Sequence, residues 1–352
     1  MNFISVIVIG YIAVAALIIA ILLRDIYFPL FKCRLSPLPK KKTFGKMAAY
    51  YFCRLSKPIH FPKKYRKIIS WIIICLLGLG IILAVDARFI EPNLLLTSQA
   101  EVKICGVNEP IKIALVADIQ VGMGKRAAWV EKIVKKIEKI KPDMVLLGGD
   151  LIDNEGSALN EAAFLDPLKD LAGKYPIFYI LGNHEYGIGG KTQYFKYLWT
   201  GDRSQDLIQE MGKIGIPLLR NQLKCLPVKN QNICIFGADD IWERPINFSE
   251  LKQWDQKTPL IFFVHNPDGI LYWPDNFKQP SIELTGHTHG GQVWLPFIGP
   301  LGDAEIDLGK KYYKGLNYYG YTPIYTTAGA GESGGPIRLF DPPEISVITL
   351  TP

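Results

Sequence analysis

IKIALVAD, residues 111–118, is the stretch on which the fold turns. Apart from Lys112 it is apolar until it ends on the carboxylate of Asp118, the pattern of a short buried strand that opens into a loop. Downstream, Trp129, Val130, Ile133, Val134 and Ile137 recur at helical spacing, and Met144–Leu147 is again a strand, followed by Asp150. The alternation continues through a helix around residues 158–172 to the strand Ile177–Leu181 and then Asn183. Strands alternating with helices predict an α/β fold with a parallel sheet and right-handed crossovers. Asp118, Asp150 and Asn183 are 32 and 33 residues apart, one βαβ unit each time. Ligand sites in open α/β sheets lie beyond the carboxyl ends of the strands, so these three oxygen donors are expected in one crevice.

Further along, NICIFGA (232–238), PLIFFVH (259–265), SIELTG (281–286), PIYTTAG (323–329) and EISVITL (344–350) are short β-rich runs between Gly or Pro turns. They predict a second sheet packed on the first, while residues 87–110 read as an irregular lead-in. His265 closes one of these strands, and His287 and His289 stand two apart in GHTHGGQ (286–292). The glycines there let backbone approach closely, and paired imidazoles make a metal clamp. Asp118 and Gln120 form a D-x-Q pair, which in extended chain would point both side chains the same way. Singly, each residue has a plain structural reading: a helix cap for Asp150, a satisfied core histidine for His265, a turn for Asn183. Jointly they place four of the chain's five histidines (His184, His265, His287, His289) at strand ends or in Gly-rich turns, which favours a site.

Working toward the N-terminus, Phe3–Leu23 and Ile68–Val85 are uncharged runs of membrane-spanning length, roughly 17–25 residues. They predict transmembrane helices over 1–23 and 68–86, the second with a buried core helix as its alternative. Residues 24–67 between them hold thirteen Lys or Arg against one acid, Asp25, a local charge of +12 within a whole-chain +7. Everything else is therefore net acidic, and the basic balance gives no support to nucleic-acid binding. The positive-inside rule makes 24–67 a cytoplasmic loop and puts the remaining domain, 87–352, on the extracytoplasmic side of the cell membrane. Its interleaved aromatics suit a headgroup interface, with a solvated basic loop as the alternative. Cys33 and Cys53 fall in that loop and Cys75 in the second helix; Cys105, Cys225 and Cys234 in the domain form no disulfide framework. Two free buried thiols are the expectation for Cys225 and Cys234, with a bridge across a hairpin as the alternative for an exported domain.

The motifs ADIQVG at Asp118, GGDLID at Asp150, GNHEY at Asn183, VHNPD at His265 and GHTHGGQ at His287 resemble the calcineurin-like metallophosphoesterases. GHTHGGQVWLP and TTAGAGESGGPIRLFDPPEI look like the membrane-tethered or exported bacterial branch, and the resemblance covers residues 111–350. It implies a two-sheet α/β sandwich flanked by helices and a binuclear centre. Asp118, Gln120 and His289 would hold one metal, Asn183, His265 and His287 the other, and Asp150 would bridge them. His184 would face the phosphate, with Glu185 orienting it. The donor set suits two divalent ions, manganese first, with iron or zinc as alternatives. The usual first motif of the family is D-x-H, so Gln120 is a departure toward a weaker donor. Manganese-dependent ADP-ribose and CDP-alcohol diphosphatases resemble this chain in having D-x-Q.

Two such ions support hydrolysis of a phosphodiester or pyrophosphate by activated water. A tethered domain meets lipid phosphates at high effective concentration, so a lipid-linked phosphate is the expected substrate. Two alternatives stay open: cleavage of the pyrophosphate of UDP-2,3-diacylglucosamine in lipid A synthesis, a substrate on the cytoplasmic side that conflicts with the predicted topology, and a non-enzymatic membrane protein with an impaired metal site.

Overall fold

The structure, a computed structural model, describes residues 3–27, 65–122, 124–154, 160–189 and 201–352. It divides into two units, Met1–Arg88 and Phe89–Pro352. The first holds α1 (Phe3–Tyr27) and α2 (Arg66–Val85). One helical stretch, Lys67–Asn93, is long and apolar enough to cross a membrane, and little of its most apolar part is buried, unlike a core helix. The other apolar stretch, Ile9–Leu23, lies within α1 and is shorter among the residues whose side chains are described, so a second spanning helix is not established. Most of the basic loop, including Cys33 and Cys53, lies outside the described residues.

In the second unit two sheets face each other. The first runs β1 (Leu96–Lys103), β13 (Glu344–Thr351), β2 (Ile111–Val116), β3 (Met144–Gly148) and β4 (Ile177–Ile180), with β2, β3 and β4 parallel. The second runs β11 (Gly315–Tyr319), β12 (Thr322–Thr326), β8 (Ile282–Thr285), β7 (Leu260–Phe263), β6 (Gln231–Gly237) and β5 (Gln222–Val228). Its four central strands are parallel and its two edge strands antiparallel. Ile113, Leu115 and Leu146 of the first sheet meet Ile235, Phe263 and Leu284 of the second in a core between them. On the outer face of the first sheet, Val116, Val145 and Leu147 pack against α3 (Ala127–Ile140) and α4 (Ser204–Lys213). Phe236, Phe262, Trp254 and Trp273 cover the outer face of the second. The predicted two-sheet α/β sandwich is the observed one.

Four expectations are corrected. The lead-in contains a strand, β1, which pairs in parallel only with β13; its polar sequence LTSQAEVK suits an exposed edge and shows no apolar alternation. EISVITL forms β13 in the middle of the first sheet, not part of the second. The helix expected around 158–172 is 3-10 over Glu161–Asp170, because Pro167 inside it lacks the N–H that an α-helical ladder needs. Cys225 and Cys234 are directly opposed in the β5–β6 hairpin and bonded, S–S 1.97 Å, so they are not free thiols.

Candidate metal centre

Each strand that the sequence ends on a polar residue delivers it to one cleft. Asp118 and Asp150 follow β2 and β3, Asn183 follows β4, His265 follows β7, and His287 and His289 follow β8. All are at least half-buried, and Asp118, Gln120, Asp150 and His265 almost completely so. The D-x-Q pair is not extended: Asp118 has φ 54° and Gln120 φ 48°. Asp150, His287 and His289 are also left-handed, at 50°, 71° and 50°. The chain turns sharply at each strand end, so these turns, and not a β period, aim the side chains. A non-glycine residue held there costs on the order of 1 kcal/mol, which packing around the cleft must offset. That packing is tight: a Cβ on Gly182 would lie 2.3 Å from Asp150 Oδ1.

The polar atoms face one another as ligands do around an ion. His265 Nδ1 donates to the Gly148 carbonyl at 2.7 Å, which turns Nε2 toward Asp150 Oδ2 at 3.0 Å. That contact is close enough for an ion pair yet lacks hydrogen-bond geometry, leaving Nε2 buried without a hydrogen-bond partner. His287 Nε2 donates to the Ala304 carbonyl at 3.1 Å, so its Nδ1 lone pair points at Asn183 Oδ1, 3.0 Å away. Two acceptors at that distance repel unless a cation lies beside both, and metal bonds of about 2.1 Å bring adjacent ligands this close. Asp150, His265 and His287 offer ligand atoms within 4.8 Å of one another. On the other side, His289 Nε2 is 3.6 Å from Asp118 Oδ1, and both His289 Nε2 and Gln120 Oε1 are buried without hydrogen-bond partners. The structure thus brings together Asp150, His265 and His287, with Asn183 against His287 and Asp118 against His289, while Gln120 is joined to them through His184, and the donor set of imidazole, carboxylate and amide oxygen fits a divalent ion.

Electrostatics agree. Burial, helped by Asp150, raises Asp118 to about 7, and burial raises Asp240 to about 7. Burial opposes charge on His265, but Asp150, Asp118 and Asp240 outweigh it and lift the ring to about 10. Burial also opposes ionisation of Asp150, yet His184 and His265 hold its carboxyl below the usual range. Burial, then His265, lowers His287 to about 3; burial, then Arg338, pushes His289 well below its ordinary value. Buried carboxyls crowd one imidazolium while two other imidazoles stay neutral, so the cluster lacks positive charge and has lone pairs to spare.

His184 donates from Nδ1 to the Asp153 carbonyl at 2.8 Å, and its Nε2 accepts from Gln120 Nε2 at 3.1 Å. One end of the Gln120 amide therefore holds His184 while the other, Oε1, is buried without a hydrogen-bond partner. Glu185 does a different task from the one the resemblance implies. Its carboxylate accepts four main-chain amides, those of Asp150, Leu151, Ile152 and Gly182, and so ties the Asp150 loop to the Asn183 loop.

Three residues of the site were missed in the sequence. Asp240 follows β6, the same strand-end signature that marked the others. Trp242 meets His287 edge-on, ring centroids 4.5 Å apart, and lines the cleft of about 330 Å³ into which His184 also faces. Arg338, fully buried, donates to the carbonyls of His289, Asp341, Ala328 and Gly331, fixing the loop behind His289. No periodicity flags Trp242 or Arg338; only their isolation in Gly- and Pro-rich loops does.

A strand-end cluster of carboxylates, amides and imidazoles on a two-sheet α/β sandwich defines a metal-dependent phosphoester hydrolase. The calcineurin-like phosphoesterase family model matches residues 111–291, just over half the chain, and the chain belongs to that family. The chain is 31% identical to "Phosphodiesterase YaeI" of Escherichia coli (strain K12) over 245 residues, 68% of this chain and 82% of that protein. It is 29% identical to "Uncharacterized metallophosphoesterase YkuE" of Bacillus subtilis (strain 168), over 75% of this chain and 88% of that one. A "Transmembrane protein with metallophosphoesterase domain" of Danio rerio is 26% identical over 68% of this chain, which spans about half of that relative's length (53%). Members of the family use divalent metal ions, and this chain is a phosphoester hydrolase.

Proposed function

We propose that the chain is a membrane-anchored phosphodiester or pyrophosphate hydrolase with two divalent ions, manganese by preference, acting on a lipid-linked phosphate. Asp118, Gln120 and His289 hold one ion, Asn183, His265 and His287 the other, and Asp150 reaches both. The observation that carries this is a set of buried acceptors that no donor serves: Gln120 Oε1 and His289 Nε2 without hydrogen-bond partners, and Asn183 Oδ1 facing His287 Nδ1, with His265 Nε2 against Asp150 Oδ2 beside them. When bound, the ions supply Lewis acidity and activate water for attack on phosphorus. His184, fixed at Nδ1 by the Asp153 carbonyl, presents Nε2 to the cleft beside the phosphoryl group; once Nε2 has taken a proton from solvent in place of its contact with the Gln120 amide, it passes that proton to the leaving oxygen. Glu185 is a positioning residue that keeps the Asp150 and Asn183 loops in register.

The test is activity on bis(p-nitrophenyl) phosphate by the full chain stripped with chelator. Turnover should return with Mn²⁺ and stay absent in Asp150→Asn; turnover indifferent to chelation would overturn the proposal. Gln120→His should tighten Mn²⁺ binding, measured by calorimetry, and an unchanged affinity would remove Gln120 from the ligands.

Anchoring by two helices, 1–23 and 68–86, with the basic segment 24–67 in the cytoplasm and 87–352 outside, draws on the charge asymmetry and on two further points. The Cys225–Cys234 bridge suits an oxidising compartment, and a transmembrane relative carries the same kind of domain. The bridge counts against the cytoplasmic UDP-2,3-diacylglucosamine reading, and the buried cluster of Asp150, His265 and His287 counts against an impaired site. Alkaline phosphatase fused after Pro352 should be active and a fluorescent protein there dark; the reverse would place the domain inside.

A further inference from the structure

The β9 (Trp294–Leu295) and β10 (Gly299–Pro300) hairpin rises directly from the wall of the cleft: Gln292 precedes it, Gly302 follows it, and both line the site. Its apex is apolar and bare. Phe297 is fully exposed with φ 67°, Ile298 is 71% exposed, and Leu301 is half-exposed at the base. An aromatic side chain held in left-handed backbone and pushed into water is doubly unfavourable in isolation. The hairpin is also laced to the place where the chain enters this domain. Leu339 pairs with Val293 and its carbonyl accepts Trp294 N, while the next two amides, Phe340 and Asp341, donate to the Glu91 carboxylate. Just before Glu91, Phe89 and Ile90 are exposed, as are Leu94 beyond it and Phe340 across from it. Phe89 and Ile90 belong to the same apolar stretch, Lys67–Asn93, that is long enough to span a membrane. Beside the hairpin, Lys310 donates to the Pro300 carbonyl at 2.9 Å, placing a cation at its foot.

We infer that this hairpin is a membrane-contacting loop. Phe297 and Ile298 enter the interfacial layer of a bilayer, and the cleft at the foot of the hairpin takes its phosphate from that leaflet. The occupant is a lipid surface because, within this domain, the base of the hairpin is tied through Leu339, Phe340 and Glu91 to the segment whose exposed Phe89 and Ile90 end the apolar stretch Lys67–Asn93. The inference rests on the lipid-linked reading of the substrate and adds how the substrate reaches the metal centre.

The full chain in nanodiscs of phosphatidylcholine and phosphatidylglycerol tests it in two arms. Irradiation of Phe297→p-benzoylphenylalanine should give protein–lipid adducts, seen by intact mass; adducts no more frequent than in the unsubstituted chain overturn the inference. Phe297→Asp combined with Ile298→Asp should cut turnover of a phosphodiester lipid in the same bilayer at least tenfold, with bis(p-nitrophenyl) phosphate turnover unchanged within twofold. Equal loss on both substrates, or loss on neither, overturns it. If adducts form but even the unsubstituted chain leaves bilayer phosphodiesters intact, the loop stands and the lipid-substrate reading falls.

Discussion

Arg338 is buried among carbonyls: those of His289, Asp341, Ala328 and Gly331 accept from its guanidinium, and the Asp341 carboxylate lies 3.5 Å away. Methionine has the length to fill the space but no donor. Arg338→Met should therefore destabilise the domain by about 3 kcal/mol or more, because desolvated acceptors are left unpaired. Chemical denaturation measures it, and a loss under 1 kcal/mol would mean that the loop behind His289 is held by something else. Glu283 is the opposite case, a carboxyl with no evident service. It sits on β8 beside Phe262 and Ile324 with both oxygens buried and no well-formed hydrogen bond, and burial, then Asp268, pushes its carboxyl well above the ordinary range. A folded state that favours the protonated acid is most stable below the unfolded value near 4.5. Stability then falls as pH rises toward the folded value, by up to about 1.4 kcal/mol per unit. Glu283→Gln should flatten this dependence, so that its melting temperature exceeds that of the parent increasingly from pH 5 to pH 8; parallel curves would rule the explanation out. Asp118, Asp150, Asn183 and His265 were legible in the sequence because each follows an apolar strand, and Gln120, His287 and His289 because of their spacing in D-x-Q and GHTHGGQ. The left-handed turns that aim them were not, since Asp118, Gln120, Asp150, His287 and His289 are residue types that ordinarily avoid positive φ or tolerate it only in part.

Among the elements, the β5–β6 hairpin is the one whose chemistry the sequence left open. Lys229 to Asn232 marked a turn, but whether Cys225 faces Cys234 depends on a register that only the finished ladder fixes. The bridge closes a short loop on an edge strand paired with β6 alone, and chain-entropy arguments give it about 2 kcal/mol. Non-reducing peptide mapping should recover a Cys225–Cys234 linked fragment, and Cys225→Ser should lower stability by about that amount; two alkylatable thiols in protein isolated without reductant would contradict the pairing. The central strands were readable for the same reason that they are central. Runs such as MVLLG and LIFF are buried on both faces, so apolar content alone identifies them. β1 escaped because one polar edge strand has no such signature, and β13 was read correctly as a strand but assigned to the wrong sheet, because sequence order does not state which sheet a late strand joins.

For the molecule as a whole, the way the chain enters the catalytic domain is unusually well fastened. Lys125, Lys132 and Lys136 donate to the carbonyls of Pro92, Asn93 and Leu95, and Glu91 takes two amides of the 340–341 segment. The segment is thereby fixed to the domain that carries the site. Lys132→Ala with Lys136→Ala should speed hydrogen exchange of the 93–96 amides several-fold and leave turnover of a soluble diester unchanged; unaltered exchange would show that the lysines fasten nothing. The placement of β13 carries a different consequence, one of timing. β1 pairs in the sheet only with residues 344–351, about 250 positions later, and β2 has β13 as its neighbour on one side. While the chain is being made, β2, β3 and β4 can assemble, but the first sheet lacks an inner strand until its last segment is delivered. A chain exported as it is synthesised would therefore cross the membrane with that sheet unclosed, and the domain would set only once residue 351 had arrived on the far side.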